Sequence, residues 1–164
     1  RQATGGSLNA NKMQDREMIN RFCSFSLLRL DTYRGDMDEW LAKGLEIMNK
    51  ASPDELGNLS GRFRLAMKNN LVVFGRQAFR KHSFSNQRRS VLNASLFDVM
   101  STGLARYPES RVKEKANVLQ EKFFKLMDDS GFIKAITYGP NTPREVRTRF
   151  RIATDMFEEV FDVA

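Results

Sequence analysis

Apolar positions recur with a period near 3.6 along almost the whole chain, the signature of amphipathic helices. Met18, Phe22, Phe25 and Leu28 mark the buried side of a first helix over about Met13–Leu30. Asp36, with Glu39 three residues later, opens a second as a capping box, and its stripe is Met37, Trp40, Leu41, Leu45 and Met48. The third has the strongest start: Ser52 caps, Pro53 suits the first turn and Glu55 closes the box. Leu56, Leu59, Phe63 and Ala66 follow, with Asn70 in register, until Gly75 ends or bends the helix. A short basic helix is expected at Gln77–Lys81, then a fourth long helix over Asn86–Tyr107 with Val91, Leu92, Leu96, Val99 and Met100 inward, closed by Pro108. A fifth covers Ser110–Asp129 on Val112, Ala116, Leu119, Phe123 and Leu126, and "GFIKAI" is a turn. Thr142, Pro143 and Glu145 start a sixth, with the stripe Val146, Phe150, Ala153, Phe157 and Val160. "LVVF" at 71–74 is the only strand candidate, and there is no internal repeat, heptad run or long linker. The pattern predicts an all-α fold: a single compact domain of about six helices over 13–164, after a polar, flexible segment at 1–12.

Composition agrees. The 164 residues are 41% hydrophobic and 29% charged, an ordinary globular balance. The one cysteine, Cys23, excludes an internal disulfide and fits a reducing, cytoplasmic setting. No apolar run approaches the roughly 20 residues that span a bilayer, so no membrane is expected. The start at Arg1 fits a fragment of a longer protein.

Charge changes the picture more. No acidic residue lies between Glu55 and Asp98, a gap of 42 residues holding Arg62, Arg64, Lys68, Arg76, Arg80, Lys81, Arg88 and Arg89. The net charge of +7 is concentrated there, since the rest of the chain has 19 cations against 20 acids. Residues 75–90, "GRQAFRKHSFSNQRRS", are the densest part. Two readings stand for this stretch. In one, Arg76, Arg80, Lys81, Arg88 and Arg89 form a phosphate-binding surface for nucleic acid, extended by Arg62, Arg64 and Lys68. In the other, they are solvated or pair with acids distant in sequence. The first reading also has the phenylalanines stacking on bases, whereas the second has Phe74, Phe79 and Phe84 as core, which is the expectation for them.

Candidate catalysts are few. One histidine and one cysteine cannot make a zinc site of the usual ligand spacing. Cys23, between Phe22 and Phe25, reads as a small buried apolar residue. Cationic neighbours oppose protonation of His82, which reads as structural or solvent-exposed rather than catalytic. Asp128 and Asp129 read as a solvated helix end. Nothing supports catalysis by this chain alone, and no cofactor or metal is expected. In the last helix, Arg144, Arg147 and Arg151 lie near the N-terminus and Asp155, Glu158, Glu159 and Asp162 near the C-terminus, against the macrodipole. Pairs such as Glu145–Arg149 and Arg151–Asp155 offset this in part. Tertiary ion pairs are the simpler account, and a docking face for another domain is the alternative. Glu17 and Arg21 in "KMQDREMINRF" have the favoured i,i+4 order.

"KMQDREMINRF", "YRGDMDEWL", "VVFGRQAFRK", "LNASLFDVMS" and "NTPREVRTRF" together resemble the C-terminal half of the GmrSD restriction endonuclease N-terminal domain family. The resemblance is a diffuse helical signature over most of the chain. It implies a ParB/sulfiredoxin-like domain with a D-G-Q-Q-R motif, tied to nucleotide handling and DNA restriction; that motif is missing here. No catalytic residue therefore carries over. The expectation is a non-catalytic helical domain of a restriction or phage-defence protein, supplying a basic surface for DNA or nucleotide phosphates; the full-length protein would be an NTP-dependent nuclease component. The alternative is a protein-interaction scaffold whose basic face docks on an N-terminal domain of the same protein or on a second copy of the chain.

Overall fold

The computed structural model describes Ala3, Thr4, Gly6, Leu8 and residues 13–162. Among the described residues seven helices follow one another: α1 (Gln14–Leu27), α2 (Met37–Lys50), α3 (Pro53–Phe74), α4 (Ala94–Leu104), α5 (Glu109–Asp128), α6 (Ser130–Thr137) and α7 (Pro143–Phe161). Single 3-10 turns at Leu30–Thr32 and Gly75–Gln77 complete the regular structure, and the described residues contain no strand, only an isolated bridge between Arg80 and Leu92. The predicted caps form. Asp36 accepts from the Glu39 N–H, Ser52 and Glu55 close the full capping box, and Thr142 accepts from the Glu145 N–H.

α4 is the axis of the domain. Every residue from Ser95 to Ser101 is buried, and α1, α3, α6 and α7 surround it. This is why its sequence is apolar all round rather than striped. α5 lies outside α3 and α7, and α2 packs on α1. Two glycines let helices approach. A Cβ at Gly103 would sit 2.1 Å from the Phe157 ring, and one at Gly44 would sit 2.0 Å from Ser24 Oγ. Gly44 is buried, while Leu45, expected in the buried stripe of α2, is exposed; Leu56, in the first turns of α3, is exposed as well. Apart from Val91, which is exposed, the other predicted stripe residues are buried or partly buried, and Cys23 is buried with its thiol pKa pushed up by desolvation.

Three expectations fail locally. "GFIKAI" is not a turn but most of α6, because Asp129 is an N-cap accepting from the Phe132 N–H at 2.6 Å, not merely a solvated helix end. The short basic helix at Gln77–Lys81 is replaced by the 3-10 turn, after which Phe79 adopts a left-handed φ of 62° and swings the chain away. The fourth helix begins at Ala94, not Asn86. Asn93 caps it, accepting from the Leu96 N–H at 2.8 Å while its amide donates to the Ile136 carbonyl of α6. That double use fixes the start of the helix and leaves the preceding residues as a loop. The flexible segment expected at 1–12 lies mostly outside the described residues; within it, Ala3 and Thr4 are buried.

A candidate nucleic-acid interface

The acid-free stretch becomes a loop between α3 and α4, closed at its base. The Asn93 N–H donates to the Phe79 carbonyl at 3.0 Å, beside the Arg80–Leu92 bridge. The Phe79 ring, buried, packs 4.8 Å from Phe97 and supports the unusual backbone. Ser90 Oγ donates to the Lys81 carbonyl at 2.9 Å, and the Gln77 amide donates to the Gln87 carbonyl. At the tip, Ser83 and Asn86 exchange backbone hydrogen bonds of 3.1 and 3.3 Å, and the Ser83 hydroxyl accepts from the Asn86 N–H. Loop residues thus fill much of their polar capacity within the loop itself.

Its cations divide. Arg80 is only 2% exposed; its guanidinium donates to the Ser90 carbonyl and, at 3.2 Å, to the Thr4 carbonyl. Burial, and then the charge of Arg89, pushes its pKa below the ordinary value. Arg80 is therefore a tie across the loop base, not part of an open surface as its sequence context suggested. Arg76, Arg88 and Arg89 are exposed and Lys81 is half-buried. The Gln77–Gln87 bond brings the chain at Arg76 next to the chain at Arg88. Arg89 reaches the Thr4 carbonyl at 3.5 Å, and Lys81 donates to Thr137 Oγ1 at 2.5 Å. Among the described residues Arg76, Lys81 and Arg88 have no ion-pair partner; of the eight cations in the acid-free gap, Lys68 approaches a carboxylate, Glu109, at 3.9 Å. Arg62, Arg64 and Lys68 lie apart on α3. Arg64 and Lys68 line an apolar groove of about 720 Å³ between α1 and α3, and Arg62 and Arg106 both line another cleft. The groove adjoins a second, of about 530 Å³, through Leu8 and Met18, and Arg80, Arg89 and Glu17 line that one.

The aromatic residues also divide. Phe74 and Phe79 are core, but Phe84 is not: it is 86% exposed at the loop tip, and Val91, expected to face inward, is 84% exposed. His82 is buried, its ring 4.9 Å from Phe123 and edge-on to Phe74 and Phe124. Its Nδ1–H donates to the Arg80 carbonyl at 2.8 Å, since a carbonyl only accepts. Desolvation pushes its pKa down, so the imidazole is neutral.

The strongest polar constellation escaped the sequence reading. Asp98, in the apolar run "LFDVM", is fully buried on α4. Arg21 of α1 clasps both of its oxygens, at 2.8 and 2.7 Å, and Arg149 of α7 donates to Oδ2 at 3.0 Å. Arg149 also donates to the Pro140 carbonyl, and the Asp98 carbonyl accepts from Thr102 Oγ1. Burial works against the Arg21 charge, but the bidentate carboxylate outweighs it and raises the pKa; for Arg149 burial wins and lowers it. Two cations share this buried anion at the point where three helices meet, and Arg21 also lies 3.7 Å from Glu17 of its own helix, the expected i,i+4 pair. Arg149 therefore turns away from Glu145, its expected partner. In α7 the Arg151–Asp155 pair forms at 3.4 Å, and Lys122 of α5 pairs with Glu159, an ion pair between helices of the kind anticipated. A carboxylate inside an apolar stripe is the sequence signal that marks such a site.

No group of three or more His, Cys, Asp or Glu side chains suited to a metal ion occurs among the described residues, and no helix formed by them is long and apolar enough to cross a membrane. No family model, curated protein or solved structure matches the chain.

Proposed function

We propose that this chain is a non-catalytic helical domain that supplies a basic surface for the phosphates of DNA or a nucleotide. The observation that carries the reading is the loop at 75–93: Arg76, Lys81 and Arg88 stand on one internally bonded segment with no ion-pair partner among the described residues, and Arg89 is exposed beside them. Guanidinium groups suit phosphate oxygens bidentately and give affinity without sequence preference. Placement in a restriction or phage-defence protein rests on the family resemblance and belongs to the same proposal. The test is fluorescence anisotropy with duplex DNA, titrated with salt. Each phosphate contact contributes about 0.9 to the slope of log affinity against log salt, so four contacts give a slope near −3.6. Replacing Arg76, Lys81, Arg88 and Arg89 together by Gln flattens it. Absence of binding at low salt overturns the reading.

A second reading has one observation in its favour. The groove between α1 and α3 exposes Ile19 beside Met18, Phe63, Met67 and Leu71, an apolar surface of the kind protein partners cover. On this reading the chain is an interaction scaffold for an N-terminal domain of the same protein or for a second copy. Concentration-dependent mass in sedimentation, abolished by Ile19→Lys, supports self-association; a monomer at all concentrations removes it.

A further inference from the structure

Phe84 is the residue that neither the fold nor the phosphate surface explains. A single exposed apolar side chain is ordinary on a protein surface. This one stands at the tip of a turn whose ends, Ser83 and Asn86, exchange two backbone hydrogen bonds, so the ring is presented on a fixed platform. Arg88 and Arg89 follow within five residues on the same loop.

We infer that Phe84 stacks on an unpaired base, and that the loop therefore prefers single-stranded or locally opened nucleic acid over intact duplex. The inference rests on the proposed phosphate surface. Every base has a π-face, so an aromatic ring beside a phosphate-binding track adds affinity without sequence preference. The neighbours favour this ligand over a lipid surface. Ser83, Ser85 and Asn86 flank the ring, and pushing them into an acyl region would strip polar groups of water, whereas a nucleotide offers them sugar and base edges to bond. Arginine, not lysine, also dominates the loop's charge.

The experiment measures binding of a thymidine-only single strand and a duplex of matched phosphate count across a salt series. The variants are Phe84→Ala, Phe84→Trp and Arg88→Gln/Arg89→Gln. Phe84→Ala is expected to weaken single-strand binding by about 5- to 100-fold with an unchanged salt slope, because a neutral ring releases no counterions. Arg88→Gln/Arg89→Gln is expected to flatten the slope by about 1.8. Phe84→Trp is expected to retain affinity, and the emission of its added tryptophan is expected to be quenched on binding, against the buried Trp40. If the arginine variant loses affinity and Phe84→Ala does not, the stacking inference fails while the phosphate surface stands. If no variant or wild-type protein binds any DNA at low salt, both fail together. Phe84-dependent binding to phosphatidylserine vesicles without single-strand binding also overturns the inference.

Discussion

Arg149 and Arg88 are the same side chain in opposite settings. Arg149 is fully buried, held by Asp98 and the Pro140 carbonyl, acceptors that the fold places in advance and that offset part of its cost of desolvation. Arg88 is exposed on the α3–α4 loop, where no described carboxylate pairs with it. Arg80 shows that sequence context does not decide which setting an arginine receives. It lies in the acid-free stretch with Arg88, yet it behaves like Arg149, bonded to two backbone carbonyls beneath the loop. Preplaced acceptors distinguish a structural cation from one left available to a partner.

The sharpest way to break that distinction is to remove the shared anion. Asp98→Ala leaves two guanidiniums facing each other without water, and the expected loss is about 3–5 kcal/mol of stability, measured by urea unfolding at neutral pH. A loss under about 1 kcal/mol would mean that the cluster is hydrated and that burial does not separate the two classes. The combined variant Arg21→Met, Asp98→Leu, Arg149→Met sharpens the point: with all three charges gone, stability is expected to return close to that of the wild type.

Arg80→Met comes next. It removes donors to the Ser90 and Thr4 carbonyls, and charge-assisted hydrogen bonds of this kind contribute about 1.5–3 kcal/mol. Thermal unfolding checks the value. Nucleic-acid binding is expected to weaken in the same variant because the loop base loosens, with the salt slope unchanged. A slope reduced by about 0.9 would instead make Arg80 a phosphate contact.

His82 lies on the buried side of the same loop, and its effect is graded by pH. Its pKa is lowered in the fold, so below the ordinary value of about 6.5 the unfolded chain takes up a proton that the folded chain resists. Its neutral imidazole stabilises the fold fully above pH 6.5, and that contribution declines as the pH falls towards the folded pKa. The slope is at most about 1.4 kcal/mol per pH unit. The urea stability of wild type relative to that of His82→Phe is expected to fall from pH 7 to pH 5. A constant difference would mean that the ring is reached by solvent.

The helices were legible where local chemistry and packing agree. Ser52-Pro53-Glu55 and Thr142-Pro143-Glu145 set their starts through backbone bonds that the sequence spells out. The α3–α4 loop was misread because an apolar Val91 and Leu92 continue the helical period, whereas Asn93, by capping α4 and bonding to α6, ends the helix from a tertiary contact. Phe84 was read as core by its type; no stripe includes it, and the loop that carries it leaves the core behind. Of the candidate site, the cluster of charge was visible and its division was not, because what separates Arg80 from Arg88 is a carbonyl supplied by Thr4, 76 residues away. Asp98 stands in the sequence as the end of an acid-free gap, and only its place as a lone carboxylate in an apolar run signals the buried cations it needs.

The smallest effect tests the comparison from its exposed side. Replacing Arg76, Lys81, Arg88 and Arg89 by Gln removes like charges that share one loop, along with the Lys81–Thr137 and Arg89–Thr4 hydrogen bonds. Stability is expected to stay within about 0.5 kcal/mol of wild type at ordinary salt. At low ionic strength the Debye length grows from about 10 Å to about 30 Å, so the wild-type cations repel one another over more of the loop. The variant is then expected to equal or exceed wild type by a few tenths of a kcal/mol, and wild type alone is expected to gain stability as salt is added. Urea unfolding across a salt series reads both. A loss above about 1 kcal/mol in the variant would place these four with Arg80 and Arg149, as cations the fold requires. Near-neutral stability leaves their charge directed outward, where a polyanion can use it.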